Sequence, residues 1–384
     1  MRQALDAARK LRDDDAEFPL LYQATMLCLT VEALDEADRY VYQYLERAQA
    51  AHDTLSIGRA WHALATAEFT RGAYDTAETY FNQCIPLLEA CANYDELARV
   101  WRGLGRLAQF RGRYPEACEH YRRYLQAASA LANDSDVLDA HMSISGIYLA
   151  LHDFQAAEDH ARQAVAMART VGTSMSFPRA LLVLAHAQKW LGKLESACAN
   201  YEEALKAGRT ACPPSTIING LHGLGQARFL QGDYAAAQVH FLEALPIARE
   251  VRLPLRLCEV SHDLVFVYAA QNALAAAGDC LQEACETALQ LGTPHFLAKA
   301  LAAAIALWHR SGGHVQAAVW AGLLTNYRDN LHPSLFDFAI YDRLRDALGE
   351  ARCNELMKQG QGLTLADAVA EALRETPLRF HEPH

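Results

Sequence analysis

The chain has 384 residues, 52% of them hydrophobic and 21% charged, with 12 prolines and 21 glycines. That balance excludes a disordered chain, and the length requires either several domains or a repeat array that grows without thickening one core. A formal charge of −11, from 35 basic and 46 acidic residues, argues against broad nonspecific nucleic-acid binding, which depends on neutralising phosphates with Lys and Arg.

The first ten residues contain no apolar h-region of the kind a secretory signal needs. With Ala4, Ala7 and Ala8 they read as the second helix of a repeat whose first helix is missing, so residues 1–17 are expected to be the remnant of a preceding repeat. No uncharged apolar run reaches the roughly 18 to 20 residues of a membrane span. The richest stretch, 297–308, carries Lys299. The ten cysteines (28, 84, 91, 118, 198, 212, 258, 280, 285 and 353) include no CxxC pair and read as reduced, buried thiols of a cytoplasmic protein.

From Phe18 to about residue 330 the sequence repeats with a period of 40. Segments starting at Gly72, Gly112, Gly192 and Gly232 share a large apolar residue two positions on and an alanine five positions on, as in Gly72-Ala-Tyr74-Asp-Thr-Ala77. Extended without gaps, the register places alanine at 37, 77, 117, 157, 197, 237, 277 and 317. Four residues later come Val41, Phe81, Tyr121, Ala161, Tyr201, Phe241, Leu281 and Ala321, the i, i+4 step of one helix face. Twelve residues before the alanine the position is small in most units: Thr25, Ala65, Gly105, Ser145, Ala185 and Gly225. The pattern predicts helix pairs in which a small residue on the first helix admits the second, the alanine returns that contact, and larger apolar residues fill the space between pairs. Gly72, Gly112, Gly192, Gly232 and Gly312 mark the turn within each pair.

Trp61-His-Ala-Leu64-Ala65 and Trp101-Arg-Gly-Leu104-Gly105, with Ala77-Glu-Thr-Tyr-Phe81 and Ala237-Gln-Val-His-Phe241, resemble the two halves of the tetratricopeptide repeat (TPR) signature. The period departs from the usual 34, and Val41 and Ala321 stand where that family prefers an aromatic residue. The resemblance implies an all-α, right-handed α-solenoid of about eight helix-turn-helix repeats over residues 18–330. The 40-residue variety is similar to repeats of large bacterial ATPase-type signal-transduction and transcription regulators and of peptide-receptor proteins.

Past residue 330 the period stops. Residues 336–348, 353–358 and 365–373 read as shorter helices, punctuated by Gly349, Gly360 and Gly362, with Thr364 as an N-cap. They are expected to cap the last repeat over 331–375, followed by a disordered tail, 376–384, that holds His381 and His384. The stretch 344–373 resembles the C-terminus of bacterial regulators in which an ATPase module precedes a TPR region.

Gly103-Leu-Gly105 and Gly223-Leu-Gly225 read as helix-packing glycines, because Ala108 and Arg228 replace the third glycine of a dinucleotide fingerprint. The sixteen histidines show no metal-ligand spacing, and neither catalytic residues nor cofactors are expected. In the resembled family, first helices line a concave groove through unit positions 2, 5, 9 and 12. Here those positions hold Arg59, Arg99, Arg102, Arg106, Arg179, Lys189 and Lys299 and five histidines, against only Asp139 and Glu259. That inverts the sign of the whole chain and points to an anionic partner, since arginine grips carboxylates in bidentate fashion. The candidate binding residues are Arg59, His62, Phe69, Arg99, Arg102, Arg106 and Gln109, then Arg179, His186 and Lys189. Asn219, His222 and Gln226 complete them as a neutral stripe suited to a peptide backbone. The expected function is a non-catalytic sensor that binds a peptide or protein segment with acidic groups, within a bacterial signalling regulator, with no direct nucleic-acid or membrane partner. A small-molecule effector domain and a scaffold that oligomerises through an exposed repeat end are the alternatives.

Overall fold

A computed structural model describes residues 14–330 and 339–380. The described residues form nineteen α-helices and one short 3-10 helix, with no strand, and the chain divides into two compact units, Met1–Thr173 and Ser174–His384.

In the first unit, α1 (Asp14–Thr30) pairs with α2 (Leu34–Ala50), α3 (Thr54–Arg71) with α4 (Tyr74–Ala90), α5 (Tyr94–Phe110) with α6 (Tyr114–Ala130), and α7 (Asp134–Ala150) with α8 (Phe154–Thr170). In the second, α9 (Ser176–Trp190) pairs with α10 (Leu194–Gly208), α11 (Pro214–Leu230) with α12 (Tyr234–Glu250), α13 (Pro254–Ala270) with α14 (Leu274–Leu291), and α15 (Pro294–Arg310) with α16 (His314–Leu324). The first helix begins at Asp14, four residues before Phe18, and the rest of the expected N-terminal remnant lies outside the described residues. The units divide where the register loosens. Val171 leaves α8 with φ −121°, and α9 starts only at Ser176.

Local chemistry sets the helix ends. Asp53, Asn93 and Asn133 accept from the backbone N–H three residues on and so cap α3, α5 and α7, while α11, α13 and α15 each begin with a proline whose missing N–H costs nothing there. The turn inside every pair needs a left-handed residue at one unit position. It is occupied by Gly72, Gly112, Gly192, Gly232 and Gly312, and elsewhere by Glu32, His152 and Asn272, all at positive φ. Between pairs, Ala132 also sits at φ 50° on the surface. Ala132→Gly should therefore raise the stability of the first unit by about 0.5–1 kcal/mol, the net of relieved left-handed strain and the greater entropy of glycine in the unfolded chain. A lowered melting temperature would count against that account.

Packing follows the repeating columns. All eight recurring alanines are at most 1% exposed. Ser145, at the small position of α7, donates its hydroxyl to the carbonyl of Ala157 at 2.7 Å, so the alanine column is where two backbones touch. A Cβ on Gly105 would lie 2.7 Å from the ring of Tyr121, and one on Gly103 would lie 2.5 Å from Phe81 of the preceding repeat. Gly223 and Gly225 meet Tyr201 and Phe241 in the same way. Both Gly-Leu-Gly segments are seats for the aromatic column, one glycine for each neighbour.

The apolar stretch from Leu297 to Trp308 is the core of α15, buried among α14, α16 and the cap. No helix of the described residues is long and apolar enough to cross a membrane. The cap consists of α17 (Ile340–Leu348), α18 (Glu350–Gly360) and α19 (Leu365–Phe380). Thr364 caps α19, its Oγ1 accepting from the N–H of Asp367 at 3.1 Å. The helix runs to Phe380, five residues beyond the expected boundary, because the Phe380 ring packs on Trp308 with centroids 5.3 Å apart. His381 and His384 lie outside the described residues, as do residues 336–338 of the first expected cap helix. All ten cysteines are free thiols, but Cys91 is exposed and Cys212 and Cys280 are only partly covered.

Candidate functional site

In the first unit the predicted stripe on α3 and α5 is organised by a residue outside it, Glu96. This carboxylate is 1% exposed, and it accepts from Tyr22 Oη at 3.0 Å and from Arg59 Nε at 3.3 Å. His62 Nδ1 approaches its other oxygen at 3.2 Å, an ion-pair distance without hydrogen-bond alignment. Arg99 reaches Glu96 at 3.5 Å and Asp95 at 2.9 Å. Burial alone would raise the Glu96 pKa, but His62, Arg99 and Tyr22 outweigh it and hold the carboxyl at about 2. Arg59, His62 and Arg99 are therefore already engaged with an internal anion.

The other half of the stripe is more open. Arg102 lies 3.9 Å from Asp139 and over the ring of Tyr124. Gln109 accepts from Tyr121 Oη at 3.2 Å. Arg106 pairs with no carboxylate among the described residues and rests on Phe69, 5.0 Å from the ring centroid. Phe69 packs in turn on Phe110, which is 66% exposed. Arginine on an aromatic face keeps its hydrogen-bonding edge available.

In the second unit, first helices of three successive repeats converge on Asp263. Its Oδ2 accepts from Gln226 Nε2 and meets His222 Nε2, both at 2.8 Å, while its Oδ1 meets His262 Nδ1 at 2.7 Å. Gln226 Oε1 accepts from the ammonium of Lys189, which is 3% exposed. Burial pushes the Lys189 pKa down to about 8, opposed by the charge of Asp263. His186 shares a 2.7 Å hydrogen bond with Tyr201 Oη, and burial, followed by the Lys189 charge, drives its pKa well down. Beside this network, Glu259 takes Arg256 at 2.7 Å and Lys299 at 3.8 Å.

Arg179 and Asn219 stand apart from it. They occupy the same register position on α9 and α11, and neither side chain has a hydrogen-bond or ion-pair partner among the described residues. Among the described residues no group of three or more His, Cys, Asp or Glu side chains is arranged to hold a metal ion. The structure thus joins Lys189, His222 and Gln226 into one network with Asp263, holds His186 separately on Tyr201, ties Arg59, His62 and Arg99 together, and leaves Arg106, Arg179 and Asn219 available. Sequence reasoning missed both organising acids. Glu96 stands three residues after its cap Asn93, and Asp263 is the acid one step past a groove position; those were the available signals.

Residues 96–170 and 177–250 match the family model for the tetratricopeptide repeat. No curated protein matches the chain. Among solved structures, the apo form of the quorum sensor NprR from B. thuringiensis superposes with a TM-score of 0.64 at 13% identity, over 94% of this chain and 100% of that one. A Rap protein complexed with competence and sporulation factor gives 0.60 at 13% identity, over 95% and 98%. NprR in complex with its cognate peptide NprX gives 0.53 at 14% identity, over 95% and 100%. At such identities the likeness is one of fold.

Proposed function

We propose that the chain, whose residues 96–170 and 177–250 match the tetratricopeptide repeat, is a non-catalytic module that binds a peptide or protein segment along the first helices of its repeats. The observation that carries this reading is the pair Arg179 and Asn219, two polar groups without a partner among the described residues, at equivalent positions of neighbouring repeats. An extended peptide offers what they lack. Its backbone N–H and C=O match both edges of the Asn219 amide, and a carboxylate matches the Arg179 guanidinium. Segments that dock on repeat proteins use many such contacts in succession.

The buried network around Asp263 would give the site rigidity, since His222 and Gln226 are held by the protein and need no ordering when a ligand arrives. The acidic character of the ligand rests on Arg179 and on Arg106 in the first unit, because Arg59 and Arg99 already answer Glu96. The peptide-bound fold relatives support a peptide ligand, and the quorum sensor among them supports a place in a bacterial signalling regulator.

The test is fluorescence polarisation with labelled hexapeptides rich in Asp and Glu beside Asn and Gln counterparts. Acidic peptides should bind better, and Arg179→Glu should weaken them at least about tenfold, a charge-assisted hydrogen bond being worth about 1.5–3 kcal/mol. Asn219→Ala should weaken both sets alike. Equal binding to the wild type and both variants would overturn the assignment.

A further inference from the structure

Where the C-terminal ends of α11, α13 and α15 meet α17, the second unit holds a cavity of about 670 Å³, a size that encloses small organic ligands. One wall is aromatic, formed by Phe229, Tyr234 and Phe266, with the first two rings 5.3 Å apart between centroids. The lining also includes His309 and Arg310 on α15 and Arg343 on α17, and none of the described lining residues is a carboxylate.

Arg310 is exposed and pairs with no acid among the described residues. It is not needed to close its own helix, because the carbonyls of Trp308 and His309 accept from the N–H groups of Gly313 and Gly312. Burial lowers the pKa of His309, and the charges of His314, Arg343 and Arg310 push it the same way. His309 is thereby biased towards its neutral form, and the charge the rim offers an anion is that of Arg310, beside a surface that ring systems stack on.

We propose that this cavity binds a small aromatic carboxylate, its ring against Phe229, Tyr234 and Phe266 and its carboxylate paired with Arg310. The site is separate from Arg179 and Asn219, and its occupation does not depend on the peptide reading. A ligand bridging α13, α15 and the cap would stiffen the end of the second unit, giving a small molecule a means of changing the stability of this module.

The experiment is thermal unfolding of the full chain with phenylacetate, 3-phenylpropionate and indole-3-acetate, each beside its amide. At least one acid is expected to raise the second unit's transition by several degrees once present at about a hundred times its Kd, and its amide to do so much less. Arg310→Ala should weaken that acid at least about tenfold while leaving the melting temperature without ligand unchanged, since the side chain makes no ion pair among the described residues. The proposal is overturned if no acid shifts the transition at up to about 10 mM, if amides protect as well as acids, or if Arg310→Ala binds as tightly as the wild type.

Discussion

Gly360→Ala is expected to detach the C-terminal cap from the last repeat, although alanine is the better helix former by about 1 kcal/mol. The sign is decided by what the new methyl group would meet. A Cβ on Gly360 lies 1.7 Å from the carbonyl oxygen of Val319, and one on Gly322 lies 1.9 Å from that of Met357. Helices α16 and α18 thus cross with each glycine against the other's backbone, where no rotamer change can make room. Overpacking relieved by side chains costs about 1–3 kcal/mol, and a clash with main chain belongs at or above the top of that range. Losing the contact would expose the faces that bury Trp308 and Trp320 and break the hydrogen bond from Trp320 Nε1 to Glu371 at 3.0 Å. Red-shifted tryptophan emission and early proteolysis after α16 are the expected readouts for Gly360→Ala and Gly322→Ala. Gly362→Ala is the control, because its Cβ meets nothing closer than 3.7 Å. Equal behaviour of Gly360→Ala and Gly362→Ala would refute the argument.

These glycines show which parts of the molecule were legible in the sequence. A period reports whatever every repeat must do, and so the alanine column, the aromatic column and the left-handed turn position could be read before any coordinates. The turn position also shows the limit of that reading, because Glu32, His152 and Asn272 adopt the same backbone without the glycine that marks it elsewhere. Gly322 and Gly360 belong to a contact made once, at the end of the array, and no repetition announces it. The same holds for the candidate site. Unit positions indicated which face Arg59, Arg99, His222 and Gln226 occupy, but not that Glu96 and Asp263 would turn inward among them. Ion pairing depends on single rotamers reaching across neighbouring repeats, as Arg59 does to Glu96 over 37 positions of sequence, and an average over repeats erases such pairs. The division at 173 likewise follows from one loosened turn rather than from the period.

Asp263→Ala should produce the largest loss of stability in the second unit, and its pH dependence should show why. Removing this carboxylate leaves His222, His262 and Gln226 without their acceptor and takes away the charge that supports the buried Lys189 ammonium. Breaking a buried pair from one side costs about 3–5 kcal/mol, which urea unfolding followed by tryptophan emission would resolve. In the wild type, burial alone would raise the Asp263 pKa, but the hydrogen bonds from His222 and His262 hold it well below 3.8. A carboxyl depressed in the folded state contributes stability that is complete above its unfolded pKa and is lost as pH falls through the folded one. The wild type should therefore weaken in acid over that range, and the variant should not share that component. Lys189 works at the alkaline end. Its folded pKa of about 8 lies below the ordinary 10.5, so its charge is an uncompensated cost below pH 8 that is relieved as pH climbs between those values, and stability rises there. Without Asp263 the pKa of Lys189 should drop further, moving the start of that rise to lower pH, while Lys189→Met should abolish it. An alkaline rise at the same pH in the wild type and Asp263→Ala would mean that the two charges do not feel each other, and the network would then be a set of separate contacts. A double variant, Lys189→Met with Asp263→Leu, should recover only the part of the loss that comes from the unsupported Lys189 charge, because His222, His262 and Gln226 still lack their acceptor.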